Sequence, residues 1–296
     1  MHTGALKKWA LALTFYLALH TAALRAQIFT NDLPLQAVTT GTNPVDFEFR
    51  ADGTLIALGN SGVGSLLSGD QGAGTRMLWF PSLSAFRAGT VTGTDWDASN
   101  IGQFSFAGGQ DNLTSGSNAT AFGWGESATN NGSVAMGLGN TSSGYGAFAS
   151  GRFSTASGQG SLAIGNGNTA SGYGSVALGS SNSATYSNAI ALGSSNWAPG
   201  SCAVALGNSN IARGNYTTAS GSYTTASAYL SFVLGTYNVG GGDQLDWVAT
   251  DPLFEIGNGT SSTPSDALVV YKNGSAAFQG PVTVAPGGDI PMYTGE

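Results

Sequence analysis

The residues that could do chemistry are few. In a chain of 296 residues, histidine occurs only as His2 and His20, and cysteine only as Cys202. Both histidines lie in an N-terminal stretch that reads as a removable export signal, so the remaining chain has none. Ser-His-Asp and Cys-His catalysis need a histidine as base, and a Cys/His zinc centre needs several ligands, so both are excluded. A lone cysteine also excludes an intrachain disulfide. The acids Asp243, Asp246, Asp251 and Glu255 crowd together and suggest calcium, but their spacing is not that of an EF-hand loop and they read as an acidic solvated connection. A glycosidase needs two carboxylates with separated pKa values in a cleft, whereas residues 102–242 hold only Asp111 and Glu126. No catalytic, cofactor-binding or metal-ligating residue is expected, and the chain is not expected to be an enzyme. Tyr145, Tyr173 and Tyr229 are the candidate ligand-binding residues, because exposed rings stack on sugars or seat a partner. Packing between turns or chains is the competing reading.

Charge and export limit the partners. Lys7 and Lys8 precede the mostly apolar stretch from Trp9 to Leu24, and Leu24-Arg25-Ala26 ends in a small residue, a signal-peptide pattern over residues 1–26. The apolar run is shorter than the ~20 residues a membrane span needs. Beyond it stand 6 basic residues against all 16 acidic ones, a net charge of −10. Such a surface repels phosphate, which argues against nucleic acid and against direct membrane contact.

A repeat must position whatever the chain presents. Glycine recurs every 14 residues at Gly109, Gly123, Gly137, Gly151, Gly165, Gly179, Gly193, Gly207, Gly221 and Gly235. Alanine stands two places before each, replaced only by Val233, with larger apolar residues on either side of it in most turns. Large, small, large is the period of a strand, and both faces read as buried. Half a turn later a second glycine recurs, as at Gly158 and Gly172, so each turn reads as two short strands joined by glycine corners. Cys202 takes a position held by Gly132, Gly146, Gly160 and Gly174, a corner. Asparagine follows most anchors by three residues (Asn112, Asn140, Asn168, Asn182, Asn196, Asn210, Asn238) and reads as a structural ladder. Fourteen residues enclose a core barely one side chain wide, so the large-residue face needs another surface, which parallel identical columns would supply.

The units Ser133-Val134-Ala135-Met136-Gly137, Ser161-Leu162-Ala163-Ile164-Gly165 and Ser175-Val176-Ala177-Leu178-Gly179 resemble the repeat of the YadA-like head domain of trimeric autotransporter adhesins. The resemblance implies an all-β fold, a left-handed parallel β-roll or solenoid with 14-residue turns, flanked by small β segments. It also implies three intertwined chains on a bacterial surface, outer-membrane-associated or secreted, attaching to a glycan or to matrix protein of another cell. A structural subunit of a secreted fibre or matrix, with no receptor, is the alternative.

The expected organisation is a signal peptide over 1–26, an N-terminal β cap over 27–101, head repeats over 102–242 and a C-terminal β-hairpin region over 243–296. Val45 to Arg50 alternates like a half-buried strand, followed by an Asp52-Gly53 turn and the run Thr54 to Leu58, a hairpin. Ala267 to Lys272, Asn273-Gly274 and Ser275 to Gln279 form a second. After residue 242 the sequence carries neither stalk heptads nor the alternating strands of a barrel anchor, a departure from the family pattern. A secreted head, a fragment or a subunit held by another protein would each account for it.

Overall fold

A computed structural model describes residues 47–49, 55–57 and 72–281; the signal segment 1–26 lies outside the described residues. The chain divides into two units, residues 1–59 and 60–296. In the first, Phe47–Phe49 pairs antiparallel with Leu55–Ala57, the hairpin that the alternating pattern predicts.

The second unit is built on the repeat. Ten five-residue strands, from Phe106–Gln110 to Phe232–Thr236, follow each other at 14-residue intervals and pair in parallel, glycine opposite glycine and alanine opposite alanine, until Val233 at the last. Eight two-residue strands, from Ser127–Ala128 to Thr225–Ala226, form a second parallel sheet. The result is a parallel β-solenoid with no α-helix among the described residues, only a single 3-10 turn at Ala98–Asn100.

The interior is made of small residues. In the turn anchored at Gly165, Ser161, Ala163, Asn168 and Ala170 point inward and are at most 1% exposed, and the same offsets are buried in the other turns. Here the structure differs from the expectation that both strand faces are buried. The alanine row lies inside the column, while the large residues beside it form an outer face on which Ile164 is 38% and Phe122 54% exposed. Two corners only seven residues apart leave room across the column for Ala, Ser and Asn but not for Leu or Ile.

Glycine has two separable tasks. The corners take the left-handed conformation at Gly160 and Gly167 (φ +64° at both), and likewise at Cys202 (+54°) and Ser209 (+56°). Each of these four comes two residues after a glycine needed for another reason: a Cβ at Gly158 or Gly165 would overlap the carbonyl oxygen of the glycine one turn on. The recurring glycines therefore permit close stacking of turns, and the corner residue itself need not be glycine.

Irregular turns close the column at both ends. Gly74–Phe80 and Ala85–Val91 form an antiparallel hairpin, and the latter strand joins the parallel sheet with Gly89 opposite Gly109. At the other end Pro252–Asn258 places Gly257 opposite Gly235, then pairs antiparallel with Asp266–Tyr271, which pairs with Ala276–Phe278. These hairpins cover strand edges that would otherwise present unpaired backbone groups.

Candidate functional site

The asparagines form the ladder expected of them, inside the column. Asn182 Nδ2 donates to the carbonyls of Leu178 (2.8 Å) and Gly193 (2.8 Å), and its Oδ1 accepts from the backbone N–H of Asn196 (3.0 Å) and from Asn196 Nδ2 (3.0 Å). Asn196 repeats the pattern toward Asn210, and Asn210 passes it to Thr224, whose N–H and hydroxyl both reach Asn210 Oδ1. Each side chain spans the turn and ties it to the next. These amides are occupied with backbone and with each other, so they are not free to meet a ligand.

Three positions break the rule with charge. Glu126 occupies the asparagine offset after Gly123 and is 1% exposed; its Oε1 accepts from Asn140 Nδ2 (3.1 Å), while Oε2 has no hydrogen-bond partner among the described residues. Burial pushes its carboxyl up to about 7, against the lowering effect of Asn140. The alanine row is itself terminated by charge, with Arg87 opposite Ala107 at one end and Glu255 opposite Val233 at the other. Arg87 is fully buried and donates to the carbonyls of Phe86 (2.8 Å), Ser105 (3.1 Å) and Thr114 (3.2 Å) and to Ser105 Oγ (2.8 Å). Burial lowers its pKa to about 10, which leaves it charged at neutral pH. Glu255 Oε2 accepts from Asn238 Nδ2 (2.8 Å) and from the Gly240 N–H (3.2 Å), and burial raises its pKa. Both residues plug the ends of a channel otherwise lined by methyl groups. The sequence held the signal for this, since each stands two places before a glycine, the alanine offset, but at intervals of 20 and 22 residues instead of 14.

The acidic group after residue 242 is divided among separate tasks. Asp243 accepts from the N–H groups of Leu245 (2.9 Å) and Asp246 (2.8 Å), which keep its pKa low; Asp251 meets Lys272 Nζ at 3.7 Å; Glu255 is inside the column. No group of three or more His, Cys, Asp or Glu side chains among the described residues is placed to hold a metal ion.

The tyrosines also separate. Tyr145 and Tyr173 are exposed, 56% and 60%, on corners two turns apart. Tyr229 instead packs edge-on against Tyr216 (5.8 Å between centroids) and lies under Lys272 Nζ (6.0 Å), whose other side faces Trp247 (5.3 Å). The offset shared by these three residues is thus a corner in every case, but the added chain after 242 covers Tyr229.

The broadest feature on the surface is the outer face of the large sheet. Pairs such as Leu162 and Ile164, Val176 and Leu178, or Ile190 and Leu192 stand in register down the column, half-buried or exposed in the single chain. Stacked phenylalanines end this face on both sides, Phe86 on Phe106 (5.5 Å) and Phe232 on Phe254 (6.0 Å). This face is apolar in most turns, interrupted at both positions by Thr218 and Ser220 in the turn anchored at Gly221, and an exposed apolar surface of this extent is of the kind that protein interaction surfaces present.

No curated protein matches the chain significantly. A family model described as the YadA head domain repeat, in two copies, matches residues 128–154, 156–182, 184–210 and 203–224, each of the first three matches covering almost two of the 14-residue turns. The first three matches begin 28 residues apart, at Ala128, Ala156 and Ala184, and so keep the two-turn register of the stacked strands, and residues 128–224 accordingly match a YadA-like head domain.

Proposed function

We propose that this chain is an exported, adhesin-like head that works as a homotrimer, attaching to a glycan or matrix protein on another cell or surface. The observation that carries the reading is the outer face: in-register pairs of Val, Leu and Ile, next to an interior too narrow to receive them. Burying a Leu or Ile side chain is worth about 1.5–3 kcal/mol, so a row of such pairs left in water is a strong drive to associate. Three parallel columns packed through this face would bury it and leave the Ser/Thr sheet and the corners, Tyr145 and Tyr173 among them, toward solvent. The head-repeat family consists of adhesins, and the signal-like residues 1–26 fit placement outside the cell, at a bacterial surface or secreted. Attachment then rests on shape and many weak contacts along a long rigid surface, not on chemistry at one centre.

The test has two parts. Sedimentation of residues 27–296 is expected to give a trimer, and Leu178→Glu together with Leu192→Glu is expected to give monomers; a stable wild-type monomer would sink the assembly. A screen against glycans, collagen-like proteins and whole cells is expected to find binding that Tyr145→Ala with Tyr173→Ala weakens without changing the assembly. A trimer that binds nothing would leave the chain a structural fibre or matrix subunit.

A further inference from the structure

The interior ladder changes character at one rung. Where asparagine stands, as at Asn140 or Asn182, the amide nitrogen donates to the carbonyl four residues back and to the anchor carbonyl of the following turn. At Glu126 the corresponding carbonyls are those of Phe122 and Gly137, and an ionised carboxylate has no hydrogen to offer either. Its Oε2 is buried and unpartnered, although its neighbours on the ladder are bonded: the Glu126 N–H donates to Asn112 Oδ1 (2.9 Å) and Asn140 Nδ2 donates to Oε1 (3.1 Å). A neutral carboxyl supplies one hydrogen at this rung, where asparagine supplies two and an ionised carboxylate none.

We propose that Glu126 is a protonation-controlled rung: as a neutral acid it completes the ladder through Oε2, and its ionisation loosens the turns anchored at Gly123 and Gly137, so that this end of the column opens more readily as pH rises.

The electrostatics agree. Burial is the main influence and raises the carboxyl from its ordinary 4.5 to about 7, and the Asn140 side chain and the N–H groups of Asn140 and Gly139 oppose it. The groups acting on it include no ionisable side chain. Asp111, in the preceding turn, is engaged with the N–H (2.5 Å) and hydroxyl (3.0 Å) of Thr92. The folded pKa lies above that of the unfolded chain, so between about pH 4.5 and 7 only the unfolded form gives up its proton. Stability from this rung is therefore full below that window, falls across it and is level above it. Glu255, Asp95 and Asp266 are also raised, in the same direction, but they belong to the ends of the unit, so the distinguishing measurement is a local one.

Native-state amide exchange on the purified protein, corrected for intrinsic rates and run from acid to mild alkali, tests this on wild type, Glu126→Gln and Glu126→Asn. In the wild type, opening of 120–140 is expected to rise by up to about tenfold per pH unit inside the window and then level, while 176–208 stays flat. Both variants are expected to be flat at 120–140, and Asn, which restores the residue of other turns, is expected to be the better protected. The same pH profile in wild type and variants overturns the proposal, as does a loss of protection spread evenly along the column. If Gln does not fold, the Asn variant supplies the same comparison.

Discussion

Gly165 and Gly179 face each other in register one turn apart, so close that a Cβ on Gly165 would overlap the carbonyl oxygen of Gly179 and lie 2.9 Å from Asn168 Nδ2. The contact is backbone against backbone, with nothing flexible to give way. It recurs from Gly89, against Gly109, to Gly235, against Gly257.

Gly165→Ala is therefore expected to cost about 3 kcal/mol or more, since both the overlap and the φ of +122° oppose a side chain. The next residue, Asn166, is exposed, and Asn166→Ala is expected to stay within about 0.5 kcal/mol of wild type. Urea unfolding followed by circular dichroism measures both.

Asn182→Ala removes three donated bonds, to the Leu178 and Gly193 carbonyls and to Asn168 Oδ1 (3.2 Å), and leaves the two carbonyls without that donor inside the column. With the Asn196 N–H also losing its acceptor, a loss of about 3 kcal/mol is expected, larger than that of any exposed asparagine. Comparing midpoints of unfolding for Asn182→Ala and Asn131→Ala checks the difference.

Arg87→Ala is expected to act locally. It frees the Ser105 and Thr114 carbonyls from their donor and empties the end of the alanine channel, a loss of about 3 kcal/mol confined to the first turn. Amide exchange should accelerate over 101–116 and remain unchanged over 160–210. Acceleration along the whole column would mean that Arg87 is not an end plug.

Cys202→Gly is expected to stabilise. A side chain at φ +54° costs about 1 kcal/mol, and glycine removes that strain but adds freedom to the unfolded chain, so the net gain is about 0.5 kcal/mol. Cys202→Val is expected to lose about 1–2 kcal/mol, because β-branching fits the left-handed region worst. Thermal melting under reducing conditions separates strain from any thiol chemistry.

Much of this protein is legible in its residues. The 14-residue interval determines parallel stacking, because identical residues at a constant interval can all be satisfied only if each turn repeats the last. Asparagine at a constant offset points to a ladder for the same reason, and the lack of histidine outside 1–26 excludes whole classes of catalysis. Tertiary structure alone decided which side of the strand is inside. Ala163 and the flanking Leu162 and Ile164 alternate equally well in either orientation; it is the width between the corners at Gly160 and Gly167 that admits the methyl group and turns the large side chains out. The structure likewise decided the roles of Arg87, Glu126 and Glu255. A charged residue in a sequence reads as solvated: Glu126 keeps the asparagine offset of the regular repeat, but only the fold shows that this offset is inside, and only the stacking of irregular end turns onto the regular ones puts Arg87 and Glu255 in the buried alanine row.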